Sequence, residues 1–362
     1  MPPPLPRLQL RVLARPFHTA TQHLKAPRPR PAAVVRNKAN QTWKPGEPGF
    51  SIPTNVLMSA HKSKVLPFGP AVATNLINSY MPMMDMAPNE KIGHAICAEH
   101  KITPYDLALL ALVLLRSVGP TSSPSQLPLA RHLLATCSTL YDPTATIELH
   151  RLLTKAPRNK FTLMELPQVV DRLAQIAEKG HPGALFRMGE LLEAEGTQAK
   201  GVKAGECYRR AGEKGVGEAW VRLGRLQLKG GRKGEAEMSF ERGKQLDNPQ
   251  AYYYLAMASP SSLTHETYLL KAAASGVIEA AHNLGVHYQS KSPLNPVFAH
   301  EWYTLAATEG FAPSQVNLAI ILRGEGKQTA ACEWLAKAQM EQGELGADAG
   351  RLKREIEAET RK

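Results

Sequence analysis

The sequence predicts an all-α protein, an α-α superhelix (solenoid) of stacked helical hairpins that follows a disordered N-terminal leader. The first observation is repetition: five segments align on the pattern Ala-x-x-x-Leu-Gly, with small or similar residues at some positions, at successive spacings of 35, 32, 29 and 34 residues. Self-similarity at a fixed period of about 20 to 50 residues is typical of repeat arrays. The second is periodicity: apolar residues recur at three- and four-residue steps, as helices require, without the alternation of strands.

The arginine spacing and the composition of residues 1–24 predict a mitochondrial transit peptide. Arg7, Arg11 and Arg15 are four residues apart, so on a helix they form one basic stripe. Residues 1–46 hold nine of the 44 basic residues and no acidic residue. The alternative is a disordered basic arm that binds RNA or acidic lipid. The rest of the chain is nearly balanced against its 32 acidic residues, which gives little support for nucleic-acid binding.

Residues 25–90 predict a proline-rich, extended leader, because closely spaced prolines interrupt a continuous helix. The segment Met81-Pro82-Met83-Met84-Asp85-Met86 places four thioethers together. Thioethers are ligands that Cu(I) prefers. The alternative is a flexible apolar patch that fills a groove, since no Cys or His lies within the cluster.

Residues 91–180 predict a helical N-terminal region of degenerate hairpins. Apolar periodicity predicts helices over 104–117, 129–140, 144–154 and 163–179. Gly180 fits a left-handed cap at the end of the last helix. The repeats then occupy 181–340, and 341–362 predicts a charged C-terminal helix or tail.

Each repeat predicts two antiparallel helices, with small residues where the helices approach. The first-helix motifs are Ala184…Met188-Gly189, Ala219…Leu223-Gly224, Ala251…Leu255-Ala256, Ala280…Leu284-Gly285 and Ser314…Leu318-Ala319. Second helices end on Ala-x-x-x-Gly, at Ala211…Gly215, Ala272…Gly276 and Ala306…Gly310, with Gly243 closing the second unit less regularly. Large second-helix residues are expected to fill the space between hairpins: Tyr208, Phe240, Tyr268, Trp302, Tyr303, Trp334 and Leu335.

The best unit runs from Ala280-x-x-x-Leu284-Gly285 through Ala299-x-x-Trp302-Tyr303 to Ala306-Ala307 and Gly310. This pattern resembles the Sel1-like repeat, a relative of the tetratricopeptide repeat, and the resemblance covers about residues 181–340. It implies an interaction scaffold and not a catalyst. The layout of presequence, degenerate helical half and repeats is also similar to that of the fungal matrix factors for export of cytochrome oxidase subunit 2.

Motifs for catalysis, cofactors and metals are absent from the sequence. It contains no phosphate-binding loop, no dinucleotide fingerprint and neither a Gly-x-Ser-x-Gly nor a His-Glu-x-x-His motif. His94, Cys97 and His100 follow three-residue steps, but one helix cannot direct all three at one metal. We interpret them as surface histidines and a packed thiol, and we predict no enzyme, no cofactor and no metal.

Five polar positions are the partner-binding candidates. They lie just before the Leu-Gly pair of each first helix, on the face expected to line the groove: Arg187, Arg222, Tyr254, Asn283 and Asn317. Arginine and asparagine donors suit a peptide backbone or an acidic tail. The alternative is that the two asparagines satisfy neighbouring turns.

The sequence therefore predicts a non-enzymatic adaptor of the mitochondrial matrix, peripheral on the inner membrane, that binds a protein or peptide partner. It has no predicted small-molecule substrate. The expected role is in respiratory-chain (cytochrome c oxidase) assembly or membrane insertion. The alternative is an RNA-linked factor, either mitoribosome-associated or an mRNA-specific translation factor.

Overall fold

The computed structural model describes residues 54–118, 126–156, 160–260, 263–290 and 295–360. Regular structure in these ranges is helical throughout, which confirms the all-α prediction. The predicted transit peptide, residues 1–24, lies outside the described residues. The helices are α1 Thr54–Lys62, α2 Pro70–Tyr80, α3 Glu90–His100, α4 Pro104–Arg116, α5 Gln126–Thr139, α6 Pro143–Lys155, α7 Lys160–Glu178, α8 Pro182–Ala194, α9 Gln198–Glu213, α10 Gly217–Lys229, α11 Lys233–Gln245, α12 Pro249–Ala258, α13 His265–Ala274, α14 Ile278–Ser290, α15 Pro296–Thr308, α16 Ala312–Gly324, α17 Gln328–Ala338 and α18 Glu344–Thr360.

The chain divides into two compact units, whose described parts are residues 54–226 and 227–360. The first unit holds α1 to α9 and most of α10. The second holds the end of α10 and all later helices. Each unit has its own buried apolar clusters.

The segment predicted to be an extended leader, 25–90, contains helices joined by turns in the part that the structure describes. It contains α1, α2 and a 3₁₀ turn over Met81–Met83. Pro70 does not prevent the helix, because it stands in the first turn of α2, where a missing N–H leaves no bond unmade. Leu57 and Tyr80 are buried in the core of the first unit. The apolar pattern of this segment therefore outweighs its prolines.

Part of the methionine cluster also belongs to this core. Met81 is buried, and Met83 and Met84 pack against the core from its edge. The Met86 carbonyl accepts a hydrogen bond from Nε2 of His132 at 2.8 Å, whereas its side chain is exposed. The arrangement supports the apolar interpretation of the cluster.

Six second helices end in the same turn, namely α5, α7, α9, α11, α13 and α15. The residue at this turn has a positive φ, and the next residue donates its N–H to a carbonyl five positions back, as in a Schellman cap. The turn residues are Tyr141, Gly180, Gly215, Asp247, Gly276 and Gly310. Two of these turns precede residue 181, at the ends of α5 and α7, within the range 91–180 for which degenerate hairpins are predicted.

Gly243 was predicted to be the closing glycine of the Ala-x-x-x-Gly motif in the second unit, and this prediction is wrong. Its carbonyl accepts the N–H of Asn248, just as the Ala211 carbonyl accepts that of Val216. Gly243 therefore occupies the alanine position of Ala-x-x-x-Gly. The left-handed position belongs to Asp247, at φ +51°. An Asp tolerates this conformation better than most non-glycine residues, because its short side chain bonds locally.

The large residues of the second helices pack within hairpins as well as between them. The ring of Tyr208, on α9, covers Gly189 of α8 in the same hairpin. Tyr303 covers Gly285 in the same way, while Tyr268, Trp302 and Trp334 are only partly buried. The equivalent residues in those hairpins are the fully buried Leu269 and Leu335. Tyr208 and Tyr303 are therefore buried against the first helix of their own hairpin, which differs from the predicted position between hairpins. Phe240 does pack between hairpins, because its ring stacks on Tyr254 of the next first helix.

The C-terminal segment 341–362, predicted to be a helix or a tail, contains α18. Ala349 and Ile356 of α18 are fully buried in the apolar cluster that includes α16 and α17. Arg323 of α16 also forms an ion pair with Glu359. The helix therefore packs onto the last hairpin of the second unit.

Candidate functional site

Arg187 and Arg222 lie together in the first unit, on the first helices of successive hairpins. Glu190 joins them. Its Oε2 accepts from Nη1 of Arg187 at 2.6 Å, and its Oε1 accepts from Nη2 of Arg222 at 3.1 Å. The three side chains retain between 21% and 30% of their exposure, so solvent reaches the cluster. Two of the five predicted positions thus meet at one carboxylate.

A buried histidine orients Arg187. Nε of Arg187 donates to Nδ1 of His150 on α6 at 3.0 Å, and Nη2 donates to Oγ1 of Thr154 at 3.5 Å. Burial lowers the pKa of His150 to about 4, and the nearby Arg187 charge adds to this shift. His150 is therefore neutral at physiological pH, which leaves Nδ1 free to accept the bond.

A second acidic side chain lies at the far side of Arg222. Oε1 of Glu218, one turn earlier on α10, is 3.9 Å from Nε of Arg222. Its side chain is 55% exposed, so this contact is largely screened by water. Each arginine therefore has one shared partner, Glu190, and at least one partner of its own.

The other three predicted positions lie in the second unit and do not form a comparable cluster. The Tyr254 ring stacks on Phe240, with centroids 4.8 Å apart. Asn283 donates to Sδ of Met257 at 3.2 Å. Asn317 is only 5% exposed, and its Oδ1 has no hydrogen-bond partner among the described residues. Asn317 therefore belongs to the interior of the unit, and its role as a binding residue stays a prediction.

The described side chains offer little for nucleophilic or metal chemistry. His282 contacts Oγ of Ser314 at 2.8 Å, but Ser314 is fully buried, so this pair is a packing contact. Burial raises the pKa of the Cys137 and Cys207 thiols, which disfavours the reactive thiolate. Within the described ranges, no group of three His, Cys, Asp or Glu side chains is placed to hold a metal ion.

The predicted trio on α3 is likewise dispersed. His94 is exposed, whereas Cys97 and His100 are partly buried. Burial raises the pKa of the Cys97 thiol, and a Coulomb contribution from Asp106 adds to it.

Among the helices that the structure describes, none is both long and apolar enough to cross a membrane.

Solved structures with the same architecture include repeat proteins from bacteria and yeast. A Sel1 repeat protein from Oxalobacter formigenes is 20% identical, with a TM-score of 0.52 over 66% of this chain and 99% of its own. A protective antigen of uropathogenic Escherichia coli, described as displaying an SLR fold, is 16% identical, with a TM-score of 0.50. The fold is that of a Sel1-like repeat protein.

The wider tetratricopeptide-like architecture is also represented. Yeast Tom70 is 10% identical, with a TM-score of 0.50 over 87% of this chain and 68% of its own. The match to the E. coli antigen covers 77% of this chain but only 62% of that protein. No protein-family model matches the chain, and no curated protein matches it in sequence. These similarities establish the Sel1-like fold and leave function to the chain's own residues.

Sequence reasoning missed two residues of the Arg187–Arg222 cluster, although both left a signal. Glu190 follows Arg187 by three positions, a spacing at which helical side chains of opposite charge pair. His150 ends the run Ala145-x-x-x-Leu149-His150, a sixth copy of the first-helix motif with His in place of Gly. With this replacement allowed, α6 aligns with the first helices of the later repeats, and His150 takes the position of the motif glycine.

Proposed function

We propose that this Sel1-like repeat protein is a non-enzymatic adaptor that binds an acidic segment of a protein partner through Arg187 and Arg222. The observation that carries the proposal is the pairing of these arginines on adjacent first helices, close enough to share one carboxylate. Guanidinium groups donate in a fork that matches a carboxylate, and first-helix faces of helical hairpins form extended binding surfaces. Such binding needs no catalytic group.

The test is the double substitution Arg187→Ala/Arg222→Ala, with Arg209→Ala/Arg210→Ala as the matched control. The control removes the same charge from α9, the second helix of the α8–α9 hairpin. The partner is first co-purified with the wild-type chain, and its affinity is then measured below the melting temperature of every variant. We expect the first-helix variant to lose affinity, more strongly at low salt, and the control to keep it. If both double variants bind the partner with equal affinity, the binding surface does not include Arg187 and Arg222.

The proposed location is the mitochondrial matrix, peripheral on the inner membrane. The support is the acid-free, arginine-rich composition of residues 1–46. Replacing Arg7, Arg11 and Arg15 with Glu reverses the basic stripe, so the variant should remain in the cytosol, while their replacement with Lys should preserve import. A glutamate variant that still reaches the matrix would refute the location.

The proposed role is assembly or membrane insertion of the respiratory chain, with cytochrome c oxidase as the first candidate. Its support is the presequence-like N-terminus combined with Sel1-like hairpins. Proximity labelling from the tagged chain in mitochondria should enrich oxidase subunits or their insertion factors. Enrichment of mitoribosomal proteins, with recovery of bound RNA after crosslinking, would favour the RNA-linked alternative instead.

A further inference from the structure

We propose that Glu190 is an internal occupant of the Arg187–Arg222 site, a side-chain stand-in that the partner's carboxylate must displace. This inference rests on the proposed function and adds a residue that sets the threshold for binding. In the unliganded chain, Glu190 holds the two arginines together. When an acidic segment docks, Glu190 swings to solvent and the incoming carboxylate takes its hydrogen bonds.

The bond pattern of Glu190 shows that the site fits one carboxylate. Its two oxygens bond to different arginines, at 2.6 Å and 3.1 Å. The two guanidinium groups come from equivalent positions of successive hairpins, so their separation is fixed by the repeat and not by Glu190 alone. A carboxylate from another chain can bridge them in the same way.

Release of Glu190 leaves each arginine with a polar side chain nearby. Arg187 keeps Nδ1 of His150 and Oγ1 of Thr154, and Arg222 keeps the nearby carboxylate of Glu218. Glu190 itself is 22% exposed, so its freed carboxylate can turn into water without being buried unpaired. A permanent structural ion pair, in contrast, would leave an uncompensated charge when it opened.

An internal carboxylate also acts as a filter on partners. Glu190 is tethered on α8, so it competes at a high effective concentration. A neutral segment gains nothing by displacing it, whereas an acidic segment recovers the same bonds and adds its own backbone contacts. Glu190 presents its carboxylate on a side chain, and we therefore assign the displacing group to an Asp or Glu side chain of the partner.

The test compares Glu190→Gln with Glu218→Gln as the matched control. Both variants remove one negative charge from the cluster, but only Glu190 bridges the arginines. Glutamine keeps the shape and one acceptor oxygen. The probes are three fluorescein-labelled decapeptides with a common Gly-Ser-Leu body: one with two Asp and an amidated end, one with two Asn and a free carboxyl end, and one with two Asn and an amidated end.

Glu190→Gln should bind the Asp peptide about tenfold more tightly than wild type, since an intramolecular charge-assisted bond no longer competes. Glu218→Gln should change this affinity by less than about threefold, as expected for an exposed charge. The neutral amidated peptide should not respond to either substitution. If Glu190→Gln melts below the assay temperature, Glu190→Asp replaces it, because the shorter arm cannot span both arginines.

Three results would overturn the inference. In the first, Glu190→Gln binds the Asp peptide no better than wild type, while Arg187→Ala/Arg222→Ala abolishes binding; the arginine site then stands and the displacement fails. In the second, both glutamate variants gain equally, so only general charge matters. In the third, the free-carboxyl Asn peptide responds and the Asp peptide does not, which contradicts the assigned source. Loss of the arginines without any effect on partner or peptide would instead refute the proposed function itself.

Discussion

Gly189 and Tyr208 are packed so closely that a Cβ atom on residue 189 would lie 2.6 Å from the tyrosine ring. Gly285 and Tyr303 repeat this contact in a later hairpin, at 2.5 Å. Each tyrosine hydroxyl then donates to the residue four positions after its glycine, at 2.8 Å to Glu193 and 2.9 Å to Gln289. The missing side chain of each glycine therefore leaves the space that the tyrosine ring occupies.

In two other hairpins, different residues occupy the two positions of this contact. Where the first-helix motif ends in alanine, at Ala256 and Ala319, the second helix carries Leu269 and Leu335 in place of tyrosine. All four side chains are fully buried. Glycine is thus matched with an aromatic ring and alanine with leucine, so the sum of the two sizes stays nearly constant.

We predict that Gly189→Ala and Tyr208→Leu partly compensate for each other. The first substitution alone forces a methyl group into the ring and should lower the free energy of unfolding by about 1 to 3 kcal/mol. The second alone opens a cavity and should cost a similar amount. The double variant should lose at least about 1 kcal/mol less than the sum of the two, measured by urea denaturation as a double-mutant cycle. Strict additivity would contradict this pairing.

We predict opposite effects for alanine at two glycines near each other in sequence. Gly215 has φ +91°, and no neighbouring atom lies within 4 Å of the place that a Cβ atom would take, so Gly215→Ala should cost about 1 kcal/mol through backbone strain alone. Gly201 lies inside α9 and is equally uncrowded, but its φ is not positive. Gly201→Ala should stabilise by about 0.5 to 1 kcal/mol. Thermal melts of the two variants on either side of wild type would show this difference; shifts in the same direction would refute it.

We predict that acid destabilises the second unit through His282. This ring contacts Ser314, Tyr303 and Phe311, and burial lowers its pKa to about 4. The unfolded side chain takes up its proton near pH 6.5, so between these values the unfolded state binds more protons than the folded state. Stability should therefore be complete above pH 6.5 and fall by about 3 kcal/mol as the pH approaches 4.

The measurement is urea denaturation at several pH values between about 7.5 and 4.5, on wild type and on His282→Gln. The variant should be less stable at neutral pH, since the Ser314 hydrogen bond is altered, but its stability should depend less on pH. His150 has a pKa lowered in the same direction and will leave part of the slope in place. An unchanged slope in His282→Gln would show that the pKa of His282 does not change on unfolding, and would contradict this prediction.

Periodicity and repetition were sufficient to predict most helices after residue 91 and the Sel1-like hairpins. They failed where a different residue performs the same physical task. Asp247 takes a left-handed turn that the pattern reserves for glycine, and His150 stands at the position of a motif glycine. The helical segment around Pro70 was missed because the number of prolines was weighed without their position in the first turn.

The candidate site was predicted only in part, for a related reason. Equivalent repeat positions correctly placed Arg187 and Arg222 side by side. The same rule placed Asn317 on the groove, although it is buried against Tyr303. A repeat register fixes the direction of a side chain, but burial depends on how far the next helix covers it.

Helix α18 turns Ala349 and Ile356 toward the preceding hairpin, while most of its charged residues remain exposed. In a stacked-hairpin protein, the terminal hairpin exposes the apolar face that an additional hairpin would otherwise cover. Here α18 covers that apolar face, and its own outer surface is charged. While α18 is packed there, the apolar side of the α16–α17 hairpin is covered and is not available to another hairpin.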